Sequence, residues 1–317
     1  MAGGQERILR RRIRSVQSTM KITRAQELIA ASRIVRAQRA IEAARPYVAK
    51  MAEVVAHLVD TPEGQAHPLL RRHDDSGQRA AVLTITADRG FAGAYNTSVL
   101  RAAEQVVRDH RSAGREVSLV SVGRKGESYF RFRREELAAS ITGVSDRPSY
   151  EDARGVVGTI LQPLADGELG SVQIVYTRFL SAGSQVVSVR QLLPIEGEID
   201  GTVSGTPRAP GELPTVYEFE PDPAEILDRL IPSWIESEVL AAMLDASASE
   251  HAARQRAMAA ATENAEELIK NLVRVMNRAR QDSITTEIME IVGGAEALRE
   301  GQAAETNFTE TYEEHTA

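Results

Sequence analysis

The sequence predicts a Rossmann-like α/β domain inserted between two long terminal helices that pair as an antiparallel coiled coil. Three observations carry this. All twelve prolines of the 317 residues lie between Pro46 and Pro232, so the last 85 residues contain none. No glycine occurs between Gly4 and Gly64 or between Gly211 and Gly293, and the aromatics avoid nearly the same stretches. Both ends thus lack the residues that break helices and the bulky rings that fill a wide core. Between them, strand-like and helix-like runs alternate, the grammar of a mostly parallel sheet.

Residues 1–60 read as the first helix. Leu9, Ile13, Val16 and Met20, and later Val48, Met51, Val55 and Leu58, step by threes and fours. That is a narrow stripe of coiled-coil type rather than the wide face of a globular helix. A helix of this length is on the order of 80 Å long, too long to be buried in a small domain. At Lys21–Glu27 (KITRAQE) the stripe turns polar, which reads as a register-fixing interruption of the seam. Pro46 is expected to kink this helix or disturb its hydrogen bonds locally.

Residues 61–78 form a polar linker, and residues 79–195 the α/β domain. Its first strand is Ala80–Ala87, followed by the turn Asp88-Arg89-Gly90-Phe91-Ala92-Gly93 and a helix marked by Val99, Leu100, Ala103, Val106 and Val107. Val117–Val122 is a second strand, closed by Gly123-Arg124-Lys125-Gly126. Val156, Val157, Ile160, Leu161 and Leu164 mark a further helix, and Val172–Phe179 with Val186–Leu193 a closing antiparallel pair. The glycine turn after the first strand is half of a phosphate-cradling fingerprint; turning the chain or letting a helix pack close is its plainer role.

Residues 196–222 are a proline- and glycine-rich loop to which no chemistry is assigned. Residues 223–297 read as the second long helix. Ile226, Leu230 and Trp234 step by four; Met258, Ala261, Ala265, Leu268, Leu272, Val275 and Ala279 alternate threes and fours. Its many small residues allow close helix approach, and Pro232 kinks it or marks its effective start. Residues 298–317 are an acidic tail, read as disordered and solvated.

Several functions fall away. No uncharged run reaches 15 residues, which excludes a transmembrane helix and a signal-peptide core. Zero cysteines exclude disulfides, thiolate metal sites and thiol switches. No Walker A loop occurs, and the six histidines lack ligand spacing. No catalytic, cofactor-binding or metal-binding residue is therefore expected, and no cofactor. Charge is segregated: residues 1–50 carry a net +9 and residues 287–317 a net −7. The basic end suits a transit peptide, a nucleic-acid patch, an acidic protein partner or a plain solvated face.

Six motifs in order then narrow the choice. The run ITTEIMEIVGGAEA, with Ile284, Thr285, Glu287, Gly293 and Gly294, resembles the C-terminal signature of the γ subunit of F-type ATP synthases. RIRSVQSTMKITRAQELIAASR, DRGFAGAYN, GRKG, SEHAARQRAMAAATENAEELI and RARQDSITTEI are similar to further γ segments, and the resemblance spans almost the whole chain. It implies a central rotor shaft, present once per complex. Its partners are the α and β subunits of an α3β3 hexamer, the ε subunit and the membrane c-ring. Rotation of the c-ring is transmitted to the catalytic αβ ring during ATP synthesis or hydrolysis, and the chemistry belongs to β. By the same resemblance, Arg280 and Gln281 align with the pair that touches the β catch loops. Lys21, Arg24, Arg33 and Arg36 lie where a positive face would meet acidic β loops.

The chain departs from the family at Gln26, where Met is common, at Ala92, where Cys is common, in the loop near 198–215, and in its 20 additional C-terminal residues. That tail is either solvated, or projects through the top of the αβ ring or restrains rotation. Membrane contact is expected only through the c-ring, at the cytoplasmic face of a bacterial cell membrane. The match begins within the first residues, against a transit peptide, and a thiol-regulated plastid form would need cysteines. The main alternative is a nucleic-acid-binding protein using the basic helix, with affinity falling steeply with salt. A Rossmann-like nucleotide enzyme, binding at residues 88–93, is the other.

Overall fold

The computed structural model describes residues 2–59, 64, 67, 79–194 and 223–314. In chain order the elements are α1 (Ala2–Val59), β1 (Arg79–Ile85), α2 (Tyr95–Ser112), β2 (Val117–Val122), α3 (Arg124–Phe132), β3 (Leu137–Ile141), α4 (Tyr150–Ala165), β4 (Leu169–Phe179), β5 (Gln185–Leu193) and α5 (Pro223–Glu314). They form two compact units: residues 1–25 with 259–317, and residues 26–258.

The larger unit holds a five-stranded sheet of order β3-β2-β1-β4-β5. The first four strands are parallel and β5 runs antiparallel beside β4. The strand β1 is buried on both faces, as a central parallel strand must be. One face packs against α2 and α3 through Val99, Ala103, Val107 and Phe130. The other packs against α4, the end of α1 and the start of α5, through Val156, Ile160, Leu58, Leu227, Ile231 and Trp234. Neither α3 nor β3 is expected from the sequence pattern. The strand β3 is a five-residue edge that alternates half-buried and exposed, so it carries no apolar run. Helix α3 is nine residues long and opens on the glycine turn, which disguised it as the turn itself.

In the smaller unit both helices enter at one end, at residues 25 and 259, and so run antiparallel. Ile13 of α1 is buried, as are Ala265 and Leu272 of α5. Two expected seam residues are displaced: Leu268 is 39% exposed and Val275 52%. The stripe instead passes through Ile269 and Met276, both half-buried. The polar interruption also has a physical form, since the Thr23 and Thr262 hydroxyls hydrogen-bond at 2.8 Å across the seam. A polar pair in an apolar seam favours one register, because a slip loses this bond between the helices.

Helix α1 continues through Pro46, and α5 through Pro232. Helix α5 also runs to Glu314, where an end at 297 and a disordered tail are expected. Residues 295–314 contain one glycine, no proline and many Ala and Glu, which are strong helix formers.

Candidate functional site

The smaller unit presents most of the residues singled out from the sequence. With Thr23 opposite Thr262 and equal rise per residue on both helices, α1 runs out opposite roughly residue 284 of α5. Burial follows that geometry: every residue from 284 to 299 is exposed. Ile284, Ile288, Met289, Ile291, Val292 and Leu298 are among them, at 46–72% exposure. Of these, only Ile284 is one of the signature residues. The signal for the others is their position past the end of the pairing helix, which needs the register to be known.

Arg280 and Gln281 lie just before this stretch, both exposed. The Gln281 carbonyl accepts the Thr285 hydroxyl at 3.0 Å, and the Ser283 hydroxyl donates to Glu287 at 3.4 Å. Gly293 and Gly294 are helical, and a methyl group on either would meet nothing within 4 Å. Two adjacent helical glycines cost about 1 kcal/mol each relative to alanine, and no packing within the described chain requires them. Lys21 and Arg24 are exposed on the α1 side of the same unit.

Arg33 and Arg36 belong to the larger unit. Arg36 is exposed. Arg33 is half-buried, and its guanidinium sits 2.7 Å from Asp146.

That pair opens onto a buried polar interlock. Arg254, 6% exposed, donates to Glu250 at 2.6 Å and to the Gly90 carbonyl at 3.2 Å. It thereby holds the turn after β1 onto α5. His251 accepts from Arg254 at Nδ1 at 3.3 Å, so its Nε2–H faces the Asp146 carbonyl at 3.4 Å. Burial pushes the imidazole down to about 4, so it is neutral near pH 7. Burial also raises the Glu250 carboxyl, although the charge and hydrogen bond of Arg254 pull it back. Asp146, Glu250 and His251 lie close enough together to suggest a cation site. Their chemistry argues otherwise. Arg33 and Arg89 neutralise Asp146, Arg254 neutralises Glu250, and both imidazole nitrogens are engaged.

The turns that follow β1 and β2 are tied to each other by the chain's own hydrogen bonds. Asp88 Oδ1 accepts the Arg124 N–H at 3.0 Å, at the start of α3. Its Oδ2 accepts the Ser145 N–H at 3.0 Å. Burial alone would raise this carboxyl, but N–H groups of Gly143, Ser145 and Arg124 outweigh it and hold it below its ordinary value. A helix N-terminus favours an anion, and here the chain supplies its own. Ligands of such sheets bind where strand order reverses, between β1 and β4. There α5 lies across the strand ends: Tyr95 donates to Ala246 at 3.2 Å and Ser249 to Thr177 at 3.1 Å. The two glycines of the GRKG turn serve close approach. A methyl group at Gly123, whose φ is +94°, would lie 2.1 Å from the Thr86 carbonyl, and one at Gly126 2.5 Å from Ser121 Oγ. Ala92 is buried beside Ala87 and Tyr95, a packing position.

The elements are those of a long antiparallel helix pair and an α/β unit, and known proteins define the class. A family model described as ATP synthase matches residues 5–298. ATP synthase gamma chains of Parafrankia sp. and Frankia casuarinae are each 46% identical, covering 94% of this chain and 99% of theirs. That of Saccharopolyspora erythraea is 46% identical over 93% of this chain and 97% of its own. The fold is similar to a chain of the Euglena gracilis mitochondrial ATP synthase, with TM-score 0.64 and 20% identity, over 95% of this chain and 96% of that one. It is similar also to one from the Tetrahymena thermophila mitochondrial ATP synthase central stalk and c-ring, with TM-score 0.56 and 23% identity, over 76% and 99%. The chain belongs to the ATP synthase γ chain family. Its function is that of a γ chain, the central-stalk subunit of an F-type ATP synthase. The nucleic-acid-binding alternative finds no support among these relatives.

Proposed function

We propose that this γ chain is a non-catalytic shaft whose smaller unit turns inside the α3β3 ring. The observation that carries the reading is the end of α5: a single helix beyond the reach of α1, with apolar side chains exposed from Ile284 to Leu298. Such a surface needs an enclosing partner, and a ring around the helix supplies one without fixing it at one angle. Just below, Arg280 and Gln281 meet the β catch loops, and Lys21, Arg24 and Arg36 face acidic β loops. Exposed ionic contacts worth about 0–1 kcal/mol each suit a bearing, since none holds the shaft in one orientation.

The ε subunit and the c-ring are the partners of the larger unit, one γ chain serving each complex. No helix among the described residues is long and apolar enough to cross a membrane, which fits attachment through the c-ring at the cytoplasmic face of a bacterial membrane. The test is reconstitution with α and β. The chain should enter a complex with one copy per three αβ pairs and ATPase activity, and Arg280→Ala with Gln281→Ala should impair turnover or assembly. A chain that stays out of the complex overturns the shaft reading. A double variant with unchanged turnover and assembly removes that pair from the bearing.

A further inference from the structure

Helix α5 lies across the carboxyl ends of the strands without filling the space where strand order reverses. A half-open cavity of about 420 Å³ remains there. Ala94 and Ser98 line it from the start of α2, Thr177 and Val187 from the sheet, and Ala253 and Ala257 from α5. Open sheets of this kind take their ligands at that point. The volume lies within the range of small-molecule sites, about 300–1,000 Å³.

Two independent features of the lining call for an anion. The first is the N-terminus of α2, which no side chain caps and whose first turn holds no acidic residue. The Tyr95 N–H returns to the Ala92 carbonyl and the Ser98 N–H to that of Ala94. Those of Asn96 and Thr97 find no acceptor among the described residues. Such an end carries a positive partial charge. The start of α3 differs, because Asp88 already meets it. The second feature is Thr177, which is 6% exposed. It alternates with Val175 onto the face of the sheet that α2 covers. Its hydroxyl is buried without a hydrogen-bond partner among the described residues, a costly state that a ligand oxygen relieves. The neighbouring hydroxyls do not serve it, since Ser249 donates to the Thr177 carbonyl and Tyr95 to that of Ala246.

The local charge agrees. Among the described residues no carboxylate lines the cavity. Arg256 lies at its edge and donates to the Ala182 carbonyl and to the Gln185 side-chain oxygen, both neutral. Those bonds fix the guanidinium in place and leave its charge uncancelled, so it acts through the field and need not turn toward a ligand.

We propose that this cavity binds a small phosphomonoester with a sugar-sized body. Its phosphate lies at the start of α2, within reach of the Thr177 and Ser98 hydroxyls. Its body lies between Val187 and α5, where Ala253 and Ala257 are small enough to leave room. Bound there, the ligand joins α2, β4 and α5 and braces the larger unit, so its occupancy is also measurable as thermal stability.

The experiment titrates the full chain with ribose 5-phosphate by calorimetry at pH 7.5. Saturable one-to-one binding is expected, with a rise in Tm at saturating ligand. Inorganic phosphate tests the head alone and ribose the body alone; each should bind at least about tenfold more weakly, having lost one half of the contacts. Thr177→Val keeps the side-chain shape and removes only the hydroxyl. It should weaken binding about tenfold, the worth of one hydrogen bond to a charged group. Ala94→Asp puts a carboxylate at an exposed position where the helix dipole favours it, so the fold holds. That carboxylate repels the phosphate, and affinity should fall by about tenfold or more. Absence of saturable binding overturns the proposal. So does ribose or inorganic phosphate binding as tightly as ribose 5-phosphate, or an unchanged affinity in either variant when circular dichroism shows it folded.

Discussion

Replacing Arg254 with leucine isolates the interlock that fastens the β1–α2 turn to α5. The Arg254 side chain is 8% exposed and that of its partner Glu250 1%. The substitution removes the 2.6 Å ion pair and the contacts to the Gly90 carbonyl. It leaves a buried carboxylate without its cation. Breaking a buried pair from one side costs about 3–5 kcal/mol, mostly the penalty of the stranded charge. For a unit of this size, that corresponds to a fall in Tm on the order of 10 °C. Pairing Arg254→Leu with Glu250→Leu removes both charges and should recover much of the loss.

The pH dependence separates a stranded charge from lost packing. Glu250 already sits above its ordinary 4.5 because it is buried, with Arg254 opposing the rise. Without Arg254 the carboxyl climbs further, so the folded variant holds a proton that the unfolded chain releases. Stability then falls as pH rises above the unfolded value of 4.5. The deficit of Arg254→Leu should be largest near pH 8 and shrink toward pH 5, as read by urea unfolding at each pH. A deficit under about 1 kcal/mol, or one that grows on acidification, refutes the reasoning.

Other expectations concern separate parts of the chain. His251→Gln should flatten the acid limb of stability: the native imidazole is depressed from 6.5 to about 4, so the unfolded state binds the extra proton between those values. The parent then loses on the order of 3 kcal/mol on going from pH 6.5 to 4, a loss the variant lacks. Gly126→Ala would place a methyl 2.5 Å from Ser121 Oγ and 2.9 Å from Thr86 Oγ1. It should lower stability by about 1–3 kcal/mol in thermal unfolding. Thr23→Val with Thr262→Val removes the seam hydroxyls together; helix content by circular dichroism should hold, while hydrogen exchange reports a less uniquely registered pair. Gly293→Ala with Gly294→Ala should raise the helicity of the free chain, each worth about 1 kcal/mol, yet reduce ATPase activity of the reconstituted complex.

Much of the fold could be read where one physical signal dominated. The strands β1, β2, β4 and β5 are apolar runs bounded by turns, and α2 and α4 carry wide apolar stripes. Both long helices announce themselves by the residues they lack. The failures occur where two signals compete. Leu268 and Ile269 are adjacent and both apolar, as are Val275 and Met276, so the heptad pattern admits two seams a residue apart. Only tertiary contact selects one. The spacing of Glu250 and Arg254 is that of an ordinary surface pair on a helix. Nothing local tells that the β1–α2 turn covers it, and nothing local pairs Arg33 with Asp146 across 113 positions of sequence.

The glycines divide by what needs them. Gly123 and Gly126 are explained from within: a side chain at either would strike Thr86, just past β1, or Ser121 of β2. Gly293 and Gly294 meet open space, although helical glycine carries the same cost there as elsewhere. A feature that weakens the free chain and relieves nothing inside it is accounted for by what lies outside. The neighbouring side chains point the same way, since Met289, Ile291 and Val292 are exposed around the glycines at 54–72%. Apolar side chains seek cover, and bare backbone permits a close approach. Together they suit the proposed role of this helix end, covered by a surrounding surface.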